Sequence, residues 1–335
     1  MRIRRVRRLS RTAPRPRRAA LGAGIAALAG LAALVLRRRH VAAARVVSLS
    51  GVTEEPGLGP AALVVNPGGG SADGVDLDGV RVRELEEGED LDAVLRGLAD
   101  EGLAVIGVAG GDGSVGCAAN VACDRDRVLW VVPGGTLNHF ARDLGLTTPE
   151  EALESLAAGR IARVDMGEAG AVGFVNNASI GVYGDLVRRR ESLEHRMPKR
   201  LALLVAAART LRTATAMDLS IDGEHRRAYL VFAGNNSYSG AGLTARDSLQ
   251  QGLLDVRVLS GDGRLPRLSA LWAILTSPHG GSRWLTQTLR SEVTVRLAAP
   301  ARLAHDGEVQ DVSGEIVFRS RPRSLKVLVP AAGDD

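Results

Sequence analysis

Between residues 61 and 160 the apolar runs are short, unbroken and punctuated by glycine. "AALVVN" (Ala61–Asn66), "LAVIGVAG" (Leu103–Gly110) and "RVLWVVPGG" (Arg127–Gly135) have no polar face. Such runs predict strands buried on both sides, as in a parallel sheet. "VRVREL" (Val80–Leu85) alternates and predicts a further strand. Two segments change to helical spacing. Residues 90–101 carry Leu91, Val94, Leu95 and Leu98 on one face, with Gly102 as the stop. "TTPEEALESLAAG" has Thr148 as N-cap, Pro149 in the first turn, acids beside it and Gly159 as the stop. Strands alternating with helices predict an α/β domain, a parallel sheet with helices on both faces.

After residue 160 the pattern changes. "RIARVDMGEAG" and "GFVNNASIG" predict strands, residues 183–214 a long helical stretch broken at Pro198, and the chain from Met217 strands and turns. One amphipathic stretch, Leu265–Leu275, interrupts them. The expectation is an antiparallel, sandwich-like β-rich domain. The predicted organisation is a basic leader (1–40), a linker (41–60), the α/β domain (61–160) and the β-rich domain (161–322). A final strand at 325–329 is free to return to the first domain.

Composition changes this picture in three places. Aromatics make up 3% of the 335 residues, too few for stacking on exposed bases. The formal charge of +5 belongs to the leader: residues 1–53 hold thirteen Arg and no acid, which leaves 30 basic against 38 acidic residues, a net −8. An acidic body argues against a nucleic-acid partner. Cys117 and Cys123 lack metal-ligand spacing and read as reduced thiols, consistent with a cytoplasmic body.

"VIGVAGGDGSVGCAANVA" contains Gly111-x-Gly113-x-x-Gly116, the spacing of a dinucleotide fingerprint. That fingerprint needs an acid at the end of the next strand, where this chain has "VVPGGT". No Lys-Ser/Thr follows the glycines, so a Walker loop is excluded as well. What remains is three glycine turns at C-terminal strand ends: "NPGGGS" (Asn66–Ser71), "GGDGS" (Gly110–Ser114) and "PGGTLN" (Pro133–Asn138). In an open α/β sheet these ends form the ligand crevice, where glycine lets backbone N–H groups approach phosphate oxygens. Asp112 suits a cation better than a phosphate.

With "PGGTLNHFARDLGL" and "HDGE" following in this order, the chain resembles the diacylglycerol kinase catalytic family, the bacterial lipid kinases related to sphingosine and ceramide kinases. The resemblance covers about residues 60–330. It implies ATP-dependent phosphorylation of a lipid hydroxyl, of diacylglycerol or a related lipid, in phospholipid biosynthesis, with ATP and Mg²⁺ as cofactors. ATP contacts are implied at Asn66, Gly110, Gly111, Asp112, Gly113, Ser114, Gly135, Thr136 and Asn138. Asp112 is the implied Mg²⁺ contact, directly or through water, and Asp306 or Glu308 the general base. The same "DGE" triplet at Asp222–Glu224 lies between alternating strands and reads as an ordinary hairpin.

Two departures from the family pattern stand out. Gly116-Cys117 replaces an Asn-Glu pair after "GGDGS". In "SLQQGLLDV", which matches a structural Mg²⁺ loop with candidate ligands Ser248, Gln251 and Leu253, Gln251 replaces an Asp. These departures keep open a catalytically weakened lipid or nucleotide sensor. An NAD kinase-like phosphotransferase is a further alternative.

The leader holds an apolar run, Ala19–Leu36, of 18 residues. It would reach about 27 Å as a helix, the lower limit for a membrane span. Arg clusters at both ends favour an anionic membrane surface and predict a single-span or interfacial anchor. A cleaved export signal and a disordered leader are the other readings; Arg37–Arg39 sit badly before a cleavage site. Nine Arg precede the run, which by the positive-inside rule would send the body outward. ATP chemistry requires the opposite, so the expectation is a membrane-associated protein with its catalytic body in the cytoplasm. The sequence leaves a homodimer open.

Overall fold

A computed structural model describes residues 47–66 except 56, 79–135, 137–182, 214–239, 245–260 and 285–331, with five single positions between 183 and 213. The apolar run 19–36, residues 67–78, Thr136, the predicted break at Pro198 and the stretch 265–275 lie outside the described residues. Among the described residues no helix is long and apolar enough to cross a membrane.

A short strand, β1 (Thr53–Glu54), precedes the α/β lobe. There β2 (Ala61–Val65), β3 (Val80–Glu84), β4 (Val105–Gly110) and β5 (Val128–Pro133) run parallel in the order β3-β2-β4-β5. Every residue of β2, β4 and β5 is buried, because both sheet faces are covered. Helices α1 (Leu91–Asp100) and α2 (Asp112–Asp124) cover one face, packing Leu95, Leu98, Ala118 and Ala119 on Val64, Ile106, Val108 and Val131. A short α3 (His139–Asp143), which sequence periodicity does not reveal, leads to α4 (Pro149–Ala158) on the other face. There Leu63, Trp130 and Val132 meet Ala152, Leu153 and Leu156, and Trp130 Nε1 donates to the Ala152 carbonyl at 2.7 Å. Thr148 closes a full capping box with Glu151, and Gly159 ends α4 with φ of 61°.

The remaining strands are β6 (Arg160–Ala169), β7 (Val172–Phe174), β8 (Asn177–Gly181), β9 (Met217–Ile221), β10 (Glu224–Asn235), β11 (Tyr238–Ser239), β12 (Ala245–Arg246), β13 (Leu254–Ser260), β14 (Leu285–Arg290), β15 (Glu292–Leu297), β16 (Ala301–His305), β17 (Glu308–Val312) and β18 (Glu315–Leu328). They pair antiparallel around a core that includes Phe174, Ile180, Val231, Val256, Val295 and Phe318. Strand β18 belongs to both lobes. Its start pairs with β15, while Lys326 and Val327 lie parallel to Val128 and Leu129 of β5. Strand β6 runs antiparallel along both parts of β18, across an irregularity between Arg321 and Leu325. The strand ladder is therefore continuous through residue 160, and β6 and β18 join what the sequence pattern divides.

Two Asp-Gly hairpins share one local geometry. Asp222-Gly223 joins β9 to β10 with Ile221 opposite Glu224, and Asp306-Gly307 joins β16 to β17 with His305 opposite Glu308. All four turn residues have positive φ: 49° and 86° in the first hairpin, 43° and 100° in the second. This is the type I′ pattern that Asp-Gly favours.

Candidate active site

The glycine turns after β4 and β5 meet, and Asn66 joins them, because β2, β4 and β5 are neighbours. Asn66 follows β2 and donates its side-chain amide to Ser114 Oγ at 3.0 Å. The "GGDGS" segment is less a loop than a junction. Gly110 ends β4, Gly111 is the N-cap of α2, and Asp112 to Ser114 form its first turn. Gly134 N–H donates to the Gly110 carbonyl at 3.0 Å, laying the third turn against the second. A Cβ on Gly135 would stand 2.5 Å from Gly111 Cα, so glycine is required where these backbones touch. Asn138, left-handed at φ 47°, accepts from Gly135 N–H at 2.9 Å and donates to its carbonyl at 2.8 Å. Asp112 Oδ1 accepts from His139 N–H at 2.8 Å, which ties the start of α2 to the start of α3.

The β-rich lobe brings the carboxylates to this place. A Cβ on Gly113 would lie 3.0 Å from Glu308 Oε1, and one on Gly116 would lie 3.0 Å from both Cβ and Oδ2 of Asp306. The Asp306–Glu308 turn thus sits on the first turns of α2. The two carboxylates differ in surroundings. Asp306 is buried, and its oxygens accept from three backbone amides: Val175 N at 2.6 Å, Asn176 N at 2.8 Å and Asn177 N at 3.2 Å. Burial pushes its carboxyl up to about 6, against the three amides, with Asp112 adding a smaller upward push. Glu308 is exposed, beside the first turn of α2. The Asp222 turn lies elsewhere: its carboxylate accepts from Arg290 and from Thr294 N–H on the exposed surface.

Gly116 reads differently in the structure than as a lost polar group. It is the seat of Asp306, because any side chain there would meet that carboxylate. The loop holding Ser248, Gln251 and Leu253 lies apart from these contacts and is laced by hydrogen bonds. Ser248 Oγ accepts from Gln250 N–H at 3.0 Å, Gln251 Oε1 from Ser237 N–H at 2.8 Å, and the Leu253 carbonyl from Asn236 N–H at 2.9 Å. Gln251 closes the loop by hydrogen bonding, its Oε1 held by Ser237 N–H. Asp112 does fit a nucleotide-bound cation, since Oδ1 is used by His139 and, among the described residues, Oδ2 has no hydrogen-bond donor. A Mg²⁺ held by phosphates needs only one or two carboxylates. Among the described residues there is no cluster of three His, Cys, Asp or Glu. Cys117 and Cys123 are unpaired, and burial pushes the Cys117 thiol up to about 12.

Sequence reasoning missed the residues that join the lobes. Asn120 on α2 bridges to β7, donating to the Gly116 and Gly173 carbonyls and accepting from Gly173 N–H. Arg246 forms a buried ion pair with Asp143 and reaches Val175 and Asn176. Neither carries a local signal; a lone Asn in a small-residue helix and an Arg in "TARDS" look like surface residues.

Glycine turns after β4 and β5, with Asn66 at the end of neighbouring β2 and a carboxylate turn from a second lobe facing them, make the kind of crevice that suits phosphoryl transfer from a nucleotide. The model of the diacylglycerol kinase catalytic domain matches residues 60–169, and that of the YegS C-terminal NAD kinase beta sandwich-like domain matches residues 177–329. "Probable lipid kinase YegS" of Shigella flexneri is 27% identical over 213 residues, 58% of this chain and 71% of that protein. "Probable lipid kinase YegS-like" of Enterobacter sp. (strain 638) is 25% identical over 277 residues, 75% of this chain and 86% of that protein. A solved "putative diacylglycerol kinase" from Bacillus anthracis str. Sterne shares the fold at a TM-score of 0.64 and 20% identity, covering 82% of this chain and 98% of that one. The chain belongs to the diacylglycerol kinase catalytic family and is a phosphotransferase of the lipid-kinase type. Membership implies ATP as the phosphoryl donor.

Proposed function

We propose that the chain transfers the γ-phosphate of ATP·Mg²⁺ to the hydroxyl of diacylglycerol or a related lipid. The observation that supports this most is the exposed Glu308 carboxylate against the first turn of α2, beside the glycine turns. The amides of Gly111 to Ser114 are suited to phosphate oxygens, and the second oxygen of Asp112 to the cation that accompanies them. Such a cation, when bound, neutralises charge on the phosphate oxygens. Glu308 takes the proton of the lipid hydroxyl as its oxygen attacks the γ-phosphorus. The bond from that phosphorus to the β–γ bridging oxygen breaks, leaving ADP and the phosphorylated lipid. Asp306 holds the turn that carries Glu308. Positioning and electrostatics supply most of the rate in such a transfer. The Arg-rich leader and its apolar run supply the means to reach an insoluble substrate, at an anionic membrane surface on the ATP-containing, cytoplasmic side.

The test is the full chain with labelled ATP, Mg²⁺, NAD and mixed micelles of diacylglycerol and related lipid alcohols. Label is expected in the lipid extract, and Glu308→Gln is expected to lower kcat about 100-fold or more with MgATP binding kept. Bound MgATP with no labelled lipid would favour the sensor, and label on NAD the NAD kinase-like alternative. Either result would overturn the proposal.

A further inference from the structure

One buried arginine touches both halves of the site without belonging to either. Arg246 on β12 is 2% exposed. Its Nε donates to Asp143 Oδ2 at 2.7 Å, Nη1 to the Val175 carbonyl at 2.5 Å and Nη2 to Asn176 Oδ1 at 3.2 Å. Its guanidinium carbon lies 5.8 Å from the ring centroids of both Phe140 and Tyr238. Asp143 ends α3, whose first residue, His139, holds Asp112 at the start of α2. Val175 and Asn176, on the other side, are residues whose N–H groups hold Asp306. A second bond fixes the same segment, from Tyr238 Oη to the Asn176 carbonyl at 2.8 Å. The contacts form a closed ring: Asp112, α3, Asp143, Arg246, the 175–177 segment, Asp306, and back to α2 at Gly116 and Gly113.

We infer that Arg246 and Asp143 are a positioning pair that sets the distance between the phosphate-facing turn of α2 and the carboxylate turn Asp306–Glu308. A buried ion pair adds little net stability over an apolar replacement, so stability alone is a weak reason to keep one; fixing a geometry is a better one. The guanidinium suits the task because its fork serves three acceptors in different directions, which a lysine ammonium on its flexible stem does not reproduce. The catalytic consequence rests on the kinase reading above; the positioning itself does not.

The test compares the full-length wild type with Arg246→Lys and Asp143→Asn. Rates are measured against MgATP concentration in diacylglycerol micelles, and amide hydrogen exchange is followed at residues 175–177. Arg246→Lys is expected to lower kcat about tenfold to 100-fold while KM for MgATP stays within about twofold. The three amides should exchange faster. The double variant should be no slower than the worse single one, because both break the same link. A kcat within about twofold of wild type in folded Arg246→Lys, or unchanged amide protection, overturns the inference. Where Arg246→Lys gives no cooperative melt, Asp143→Asn carries the same two measurements. Absence of lipid phosphorylation in the wild type defeats the kinase reading alone, and the exchange measurement still decides the positioning.

Discussion

Asp306 carries two demands that pull its proton in opposite directions. Burial favours the neutral acid, while three backbone amides favour the carboxylate, and the balance leaves the group at about 6 instead of its ordinary 3.8. Because the folded state holds the proton more tightly than the unfolded chain, the linked stability is fully present below about pH 4. It is lost as pH rises through about 6. Activity should run the other way. Only the ionised carboxylate accepts all three amides and fixes the turn, so kcat should fall as pH drops below about 6. Denaturation midpoints and kcat measured from about pH 4.5 to about 7.5 check both slopes. If Asp306→Asn keeps the wild-type slope in stability, the assignment to this group fails. The identity of Asp306 as a candidate was legible from its place after the glycine turns. Its three amide partners were not, because they come from a segment remote in sequence that no local spacing connects to it.

At the scale of elements, legibility follows the range of the interactions. Helix α4 was readable end to end, since Thr148, Glu151 and Gly159 satisfy its termini from within the same dozen residues. The Ser248–Leu253 loop was not. Its shape depends on Asn236 and Ser237 before it, on Asp165, whose Oδ2 accepts from Gly252 N–H at 2.6 Å, and on Gln250, which reaches Ser50 and the Arg163 carbonyl. Gln251 can serve this loop because its carbonyl oxygen meets an N–H donor, with no charge to neutralise. A chelator should therefore leave the melting temperature of the protein unchanged within about 1 °C. Gln251→Ala should lower it by about 1–2 °C, the worth of one net hydrogen bond in a protein of this size. A rise in melting temperature with added Mg²⁺ alone, without nucleotide, would refute the hydrogen-bonded loop.

For the whole molecule the decisive element is β18. Composition and periodicity divide the chain near residue 160, yet the last strand pairs with β15 at one end and β5 at the other, and β6 follows it across both lobes. Neither lobe keeps its ladder intact if the other unfolds. Calorimetry of the full chain should show one cooperative transition for both lobes, with tryptophan fluorescence, to which Trp130, Trp272 and Trp284 contribute, and far-UV circular dichroism changing together. Two separated transitions would show that the shared strand does not couple them.

The two Asp-Gly hairpins mark the division between sequence and tertiary structure most clearly. By itself the sequence determined the parallel strands, helices α1 and α4 with the glycines that stop them, the glycine turns after β4 and β5 and the turn at both "DGE" copies. These depend on local backbone preference and on which face of an element is apolar. Only the tertiary structure decided that Asp222 stays on the surface while Asp306 is buried against Gly116. Only the tertiary structure, likewise, joined Arg246 to Asp143 and set the Gln251 side-chain oxygen against Ser237 N–H. The physical reason is that burial, amide donation and ion pairing act between groups brought close by folding. A turn propensity carries no information about what the turn will be packed against.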